Sequence, residues 1–274
     1  DAENMQVEVL GRDKESIRFV IREASPAFAN ALRRAMIAEV PTMAVEDVMI
    51  IENSSVLYDE MLSHRLGLIP LTTDLDSYVL PEECDCKSEL GCNRCRAALT
   101  LEAEAAKESR YVYSGEMKAE NSEVKPVSDT IPIVKLAPGQ KIRLETYARL
   151  GRGTEHAKWQ PVSSAAYKYL PRLTVDEKKC DGCEECVKMC PKSILAMKNG
   201  KVSVEREMDC TMCRECEKHC PQKPPAIKVG WDDSTFIFYV ESTGALAPER
   251  IVQEAAKILI KKSGAMRKSI EDVE

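Results

Sequence analysis

Cysteine dominates the chemistry open to this chain. There are 12 in 274 residues, and they fall into three sets of four. Cys180, Cys183, Cys186 and Cys190 read C-x2-C-x2-C-x3-C and run straight into Pro191. Cys210, Cys213, Cys216 and Cys220 repeat that spacing 30 positions later and run into Pro221. Cys84, Cys86, Cys92 and Cys95 read C-x-C-x5-C-x2-C and stand alone in the first half. Thiolates one or two residues apart share a tight turn and can converge on one centre, so metal ligation is the first expectation. Disulfide frameworks belong mainly to short secreted chains, and no charged-then-apolar leader opens this one. The first set reads as a four-cysteine zinc site, with Gly91 permitting the turn before Cys92 and Glu82, Glu83, Asp85 and Glu89 around it. Free thiols, disulfides and a lone iron–sulfur site are its alternatives.

No other cluster competes. Metal-assisted chemistry on triphosphates needs carboxylates holding Mg2+ beside a phosphate-binding loop. Asp74/Asp76 and Asp232/Asp233 have no such loop alongside and read as a solvated loop and a solvated turn. His64 and His156 read as structural, and His219 as a bystander to Cys220. No Ser/His/Asp constellation exists, so no catalytic residue is assigned.

Composition narrows the class. With 31% charged and 44% hydrophobic residues the chain can build a buried core. Aromatics are only 5%, so that core is expected to rest on Val, Ile, Leu, Met and Ala. A net charge of −6 argues against binding nucleic acid by phosphate neutralisation. Val48–Ile51 and Ile258–Ile260 fall far short of the ~18 apolar residues of a membrane span. A cytoplasmic protein with neither membrane nor specific DNA contact is expected.

The elements that must position the cysteines follow from patterning. Val7 and Val9, a turn at Gly11-Arg12-Asp13, then Ile17, Phe19 and Ile21 predict a hairpin. Ser25 as N-cap and Pro26 at the first position open a helix whose apolar face holds Phe28, Leu32, Ala35 and Met36, and Pro41 ends it. Residues 43–82 predict strands and short helices, Lys118–Asp129 an exposed loop, and Ile131–Leu136 and Lys141–Leu150 strands. Between the repeated cysteine runs come a helical turn at Ser193–Met197, a hairpin turn at Asn199-Gly200 and a strand at Lys201–Val204. Ala226–Val229 and Phe236–Val240 predict two more strands. Pro248 opens a long helix with Ile251, Ala255, Ile258, Leu259 and Met266 in one stripe. That stripe suits a core, a dimer interface or both, and the Arg33/Arg34 pair suits a solvated face or an interface.

The repeated run resembles the signature of two-cluster bacterial ferredoxins, in which the fourth cysteine ligates the other cluster. That resemblance implies two 4Fe–4S clusters, each able to lose an iron to 3Fe–4S in air. The ligand sets would be Cys180, Cys183, Cys186 with Cys220, and Cys210, Cys213, Cys216 with Cys190. Paired zinc knuckles or a disulfide set are the alternatives.

A second resemblance covers the chain from near its start to about residue 165. Ala29-Asn30-Ala31-Leu32-Arg33-Arg34, Glu39-Val40-Pro41-Thr42-Met43-Ala44-Val45-Glu46, Asn53-Ser54-Ser55-Val56-Leu57 and the run from Asp59 to Leu71 are similar to the alpha-like subunits of DNA-directed RNA polymerases. These are the D subunit in archaea, the third subunit in eukaryotes and alpha in bacteria. Ala148 to Trp159 resembles the point where that family's chain re-enters its first domain. The archaeal version is also the one that carries a ferredoxin-like insertion. The resemblance implies an α+β fold with a discontinuous dimerisation domain (1–40, 150–170 and 227–274), a mostly β insertion domain (41–149) and a ferredoxin-like domain (171–226). It implies a non-catalytic assembly subunit of a nucleotidyltransferase complex. Its partners would be the small subunit L, the two large catalytic subunits and other small assembly subunits, with Phe28, Leu32, Arg33, Arg34, Ile251, Ile258 and Leu259 as interface candidates. Eukaryotic relatives hold zinc in the insertion domain, and the five residues between the cysteine pairs here depart from their shorter spacing. An electron carrier with a docking domain is the rival reading.

Overall fold

The computed structural model describes residues 5–86, Ser88 and 91–272. Glu89 lies outside the described residues. The chain divides into two compact units. One gathers the residues up to Gly11, Arg18–Asn30 and Ala166–Tyr239, and the other Arg12–Ile17, Ala31–Ala165 and everything from Val240 onward.

The N-terminal signals are realised as read. β1 (Gln6–Arg12) and β2 (Ser16–Arg22) are neighbours in one sheet. Asp13 makes their turn, its Oδ1 accepting the N–H groups of Glu15 at 2.8 Å and Ser16 at 2.7 Å. Helix α1 (Pro26–Ala38) is capped by Ser25, whose Oγ accepts the Phe28 N–H at 3.2 Å.

The β-rich unit is built from β3 (Thr42–Asn53), α2 (Asp59–Gly67), β4 (Arg96–Glu104), β5 (Arg110–Tyr113), β6 (Lys118–Ala119), β7 (Pro132–Leu136) and β8 (Lys141–Gly151). Its sheets run β3-β8-β4-β6 and β5-β7. β8 pairs antiparallel on both sides, with Leu144 opposite Ile50 and Leu101. Alternation puts Leu99, Leu101, Ile142, Leu144, Ala148 and Leu150 on the buried face. Leu62, Leu66, Leu71 and Leu136 complete an almost wholly aliphatic core. The segment Lys118–Asp129 is more than an exposed loop: Val124 is fully buried, and Lys125 accepts the Thr72 N–H at 2.8 Å.

The cysteine-rich unit contains most of β9 (Val162–Val175), then α3 (Glu185–Lys188), β10 (Leu195–Lys198), β11 (Lys201–Val204), α4 (Glu215–Lys218) and most of β12 (Ile227–Ser242). Its main sheet runs β1-β2-β12-β9. β10 and β11 form an antiparallel hairpin across Asn199 (φ 52°) and Gly200 (φ 75°), the double left-handed turn that such residues favour. Three expectations are corrected here. Ser193–Met197 is not a helical turn, because Leu195–Lys198 is the first strand of that hairpin. β12 does not break at Asp232-Asp233. Asp232 Oδ1 accepts the N–H and hydroxyl of Ser234 at 3.0 and 2.7 Å, so the acid is satisfied inside one continuous strand. Nor is the core aliphatic throughout, although Val20, Leu170 and Ile237 and the residues around the cysteines are. Phe19 stacks on Phe238 with centroids 5.0 Å apart, and Tyr167 and Tyr169 pack against Phe236 at 5.5 and 5.2 Å. The few aromatics are concentrated where one sheet can use them.

Helix α5 (Pro248–Glu271) closes the chain. Its first turns bury Ile251 and Ala255, Ile258 and Leu259 are half-buried, and Ile260, Met266 and Ile270 lie exposed beyond them. Removing the stacked ring in Phe238→Ala is expected to cost ~3–5 kcal/mol, against about 1 kcal/mol for Phe238→Leu, as read from urea unfolding midpoints.

Candidate metal centres

The Cys84–Cys95 loop is held by backbone geometry. A short helical turn over Pro81–Glu83 leads into Cys84. The N–H groups of Cys95 and Arg96 both return to the Cys92 carbonyl at 2.9 Å, forming the C-x2-C turn. Gly91 sits at φ 75°, and a Cβ there would lie 3.3 Å from the Cys95 sulfur, so the predicted role of this glycine has a steric cause. The four sulfurs lie within 4.8 Å of one another, close enough for one ion. Neighbouring pairs are 3.7 Å (Cys84–Cys92) and 3.9 Å (Cys86–Cys95 and Cys92–Cys95) apart. Burial pushes the Cys95 thiol up to about 12, whereas hydrogen bonding from the Arg94 backbone draws Cys92 down to about 7. Glu82 and Glu83 are engaged elsewhere, Glu82 with Arg152 and Glu83 with Lys261 at 3.0 Å.

The repeated runs build two matching loops. Glu184 and Arg214 take the same left-handed conformation, φ 64° and 61°, directly before α3 and α4. Gly182 and Met212, two residues earlier, are also left-handed at 78° and 55°. The fourth cysteines close their turns identically, Cys190 N–H to the Val187 carbonyl and Cys220 N–H to the Glu217 carbonyl, both at 3.3 Å. Cys180, Cys183, Cys186 and Cys220 line one cavity, and Cys190, Cys210, Cys213 and Cys216 line a second. Each cavity thus takes three cysteines from one run and the fourth from the other. Apolar walls enclose them, Met197, Val202 and Ile227 on one side and Leu173, Leu195 and Val229 on the other. Burial raises the thiols of Cys186 and Cys210, and pushes Cys216 up to about 11. Two backbone N–H groups already point at sulfur, Met212 to Cys210 and Ala226 to Cys220, each at 3.3 Å.

Cations beside these loops were invisible in the sequence, because they come from distant strands. Lys168 donates to the Cys210 carbonyl at 2.7 Å, and Lys201 donates to that of Cys180. A second missed feature is a knot around Trp159, which is 2% exposed. Arg149 and Lys158 each lie 4.4 Å from its ring centroid, and both pair with Glu46, which Arg149 reaches at 3.2 Å. Gly151 lies against that ring, and a Cβ there would collide with it. An acid at 46 and two cations flanking a tryptophan were the available signal.

The interface candidates separate. Leu32 and Ile251 are 3% and 0% exposed, which makes them core residues of this chain and corrects the expectation for both. Phe28, Arg33, Ile258 and Leu259 are half-buried, and Arg34 is exposed.

Mostly strands, with three sets of four cysteines, the chain is a mixed α/β protein. It matches the RNA polymerase Rpb3/Rpb11 dimerisation domain over residues 18–263. It is 44% identical to the DNA-directed RNA polymerase subunit Rpo3 of Archaeoglobus fulgidus, covering 98% of this chain and 99% of that one. Identity is 40% to Rpo3 of Methanosphaera stadtmanae (94% and 96% covered) and 38% to Rpo3 of Aeropyrum pernix (97% and 96%). The chain belongs to the Rpb3/Rpb11 family, and within it to the archaeal Rpo3 type of RNA polymerase subunit, whose role is assembly and not catalysis.

Burial opposes ionisation of Glu46, but the hydrogen bonds and charges of Lys158 and Arg149 prevail and hold its carboxyl below the usual 4.5. A depressed carboxylate stabilises the fold above its unfolded pKa and loses that contribution as pH falls through the folded value. Glu46→Gln is therefore expected to lower stability by about 1 kcal/mol at pH 7 and to flatten its decline below pH ~4.5, as measured by urea midpoints across pH.

Proposed function

We propose that this subunit pairs with a small homologous subunit through its dimerisation domain, and that the pair seats the two large catalytic subunits. The observation that carries this reading is the family match over residues 18–263, and the apolar residues left exposed on α5 support it. The functional division we favour is a dimerisation domain of residues 1–40, 150–170 and 227–274, an insertion domain of 41–149 and a ferredoxin-like domain of 171–226. Phe28, Arg34, Ile258 and Leu259 are the side chains we assign to partner contact, with subunit L as the small partner, and the subunit would work in the cytoplasm.

For the two matching cavities we favour 4Fe–4S clusters held by Cys180, Cys183, Cys186 and Cys220, and by Cys210, Cys213, Cys216 and Cys190. Such clusters need four thiolates each, backbone donors to sulfur and a dry wall, and the residues present supply all three. The clusters would supply cross-linking between the two cysteine runs and sensitivity to oxidants. The chain's own residues order the loops and exclude water. The lobe's own core is small, with Ile194, Leu195, Val202, Ile227 and Val229 packed among the cysteines, so its fold would depend on that cross-linking, and redox state could tune how the large subunits dock.

For the Cys84–Cys95 loop we favour zinc. A tetrahedron of thiolates with Zn–S of about 2.3 Å has edges of about 3.8 Å; three of the sulfur separations are 3.7–3.9 Å, and all four sulfurs lie within 4.8 Å of one another. The site would be closed and structural, since all four positions are taken by cysteine.

Anaerobic purification of the tagged chain from its host is expected to recover a small Rpb11-like subunit and the two largest polymerase subunits in stoichiometric amounts. Recovery of a dehydrogenase or hydrogenase instead would sink the scaffold reading in favour of an electron carrier. Metal analysis of the same material is expected to give about eight irons and one zinc per chain. Cys86→Ser should lose the zinc alone. Serine at all eight repeated cysteines should cut recovery of the large subunits severalfold, and normal assembly in that variant would refute a structural role for the clusters.

A further inference from the structure

The two matching cavities differ in the charges that line them. At the 30-residue offset of the repeat, Asp181 corresponds to Thr211 and Glu184 to Arg214. The charged residues lining the cavity of Cys180, Cys183, Cys186 and Cys220 are Asp181 and Glu184, both acidic. Those lining the cavity of Cys190, Cys210, Cys213 and Cys216 are Lys192 and Arg214, both basic. The difference is fixed by the fold. Asp181 is tied to its loop by the Cys183 N–H at 3.1 Å and by Gln222 at 2.9 Å. Glu184 and Arg214 occupy the same left-handed position after the exposed cysteine of each run. The other charges near the sites are matched or paired. Lys179, before Cys180, meets Asp176 at 3.1 Å, and Asp209, before Cys210, meets Arg18 at 3.1 Å. Lys201 donates to the Cys180 carbonyl as Lys168 does to that of Cys210, and each short helix carries the same Glu–Lys pair, Glu185–Lys188 and Glu215–Lys218. Glu217, 4.0 Å from Arg214, offsets part of that one charge.

Adding an electron to an iron–sulfur site adds a negative charge, which nearby anions oppose and nearby cations favour. Resting on the iron–sulfur reading above, we propose that Asp181 and Glu184 hold the first site at a lower reduction potential while Lys192 and Arg214 hold the second at a higher one. The two sites then accept single electrons from an external donor in a fixed order, the second site first. Under oxidising conditions the first site is the one that gives its electron up earlier. The chain thereby carries two redox thresholds, although its two ligand sets are the same.

The test is a dithionite titration of the anaerobic complex, followed by electron paramagnetic resonance. Two one-electron steps are expected, separated by at least tenfold in equilibrium constant, which is 59 mV for such a couple. Asp181→Asn with Glu184→Gln should raise the lower step and leave the upper in place. Lys192→Gln with Arg214→Gln should lower the upper step alone, and joining both pairs should merge the two. A single unresolved step in the parent protein, or charge variants that move the opposite step, would overturn the proposal. A preparation without iron near the expected content, or without any reducible signal, would overturn the iron–sulfur reading itself and the proposal with it.

Discussion

The cysteine-rich unit hangs on the pairing of β9 with β12. These strands are neighbours in the main sheet, and the Asp176 N–H reaches the Ala226 carbonyl at 2.7 Å where the sheet ends. The residues between those two positions carry both cysteine runs. Once β9 and β12 pair, the ends of that segment are already together, so ordering it pays no further loop-closure entropy. The lobe is then fixed from the sheet side. Arg18 on β2 meets Asp209 at 3.1 Å, Glu207 accepts the Leu173 N–H at 2.7 Å, and Lys168 holds the Cys210 carbonyl. The sheet is stiffened in turn by the packed rings of Phe19, Phe238, Tyr167 and Phe236.

A second constraint acts on the thiols. A metal ligand must be a thiolate, yet burial pushes Cys95, Cys186, Cys210 and Cys216 the other way, toward the neutral form. These four thiols hold their protons the more firmly for it, and metal entry must expel them. Folding, protonation and loading are therefore linked in every set. The tight turns at Gly91, Gly182 and Arg214 bring the sulfurs of each set to one side of their loop.

Much of the site was legible in the residues. Cysteine spacing is local, and a C-x2-C turn is settled by four consecutive residues, which is why all three sets could be read. The hairpin at Asn199-Gly200, the cap at Ser25 and the turn at Asp13 were legible for the same reason. Misreadings arose where a distant partner intervened. Asp232-Asp233 looked like a turn until Ser234, Thr235 and Arg172 satisfied the acid within a strand. Leu32 and Ile251 looked like interface because an apolar stripe on a helix does not say which neighbour covers it.

By itself the sequence determined the three cysteine sets, the family, and the absence of a phosphate loop or catalytic constellation, since each is a matter of residue type and short spacing. The tertiary structure decided which cysteines share a cavity, with Cys220 joining the first run and Cys190 the second. It also decided that Glu46 meets Lys158 across 112 positions, and that one cavity is lined by acids and its twin by bases. Those facts depend on strands folding back from far along the chain, and pairing over such distances is set by the packing of the whole sheet rather than by any local preference.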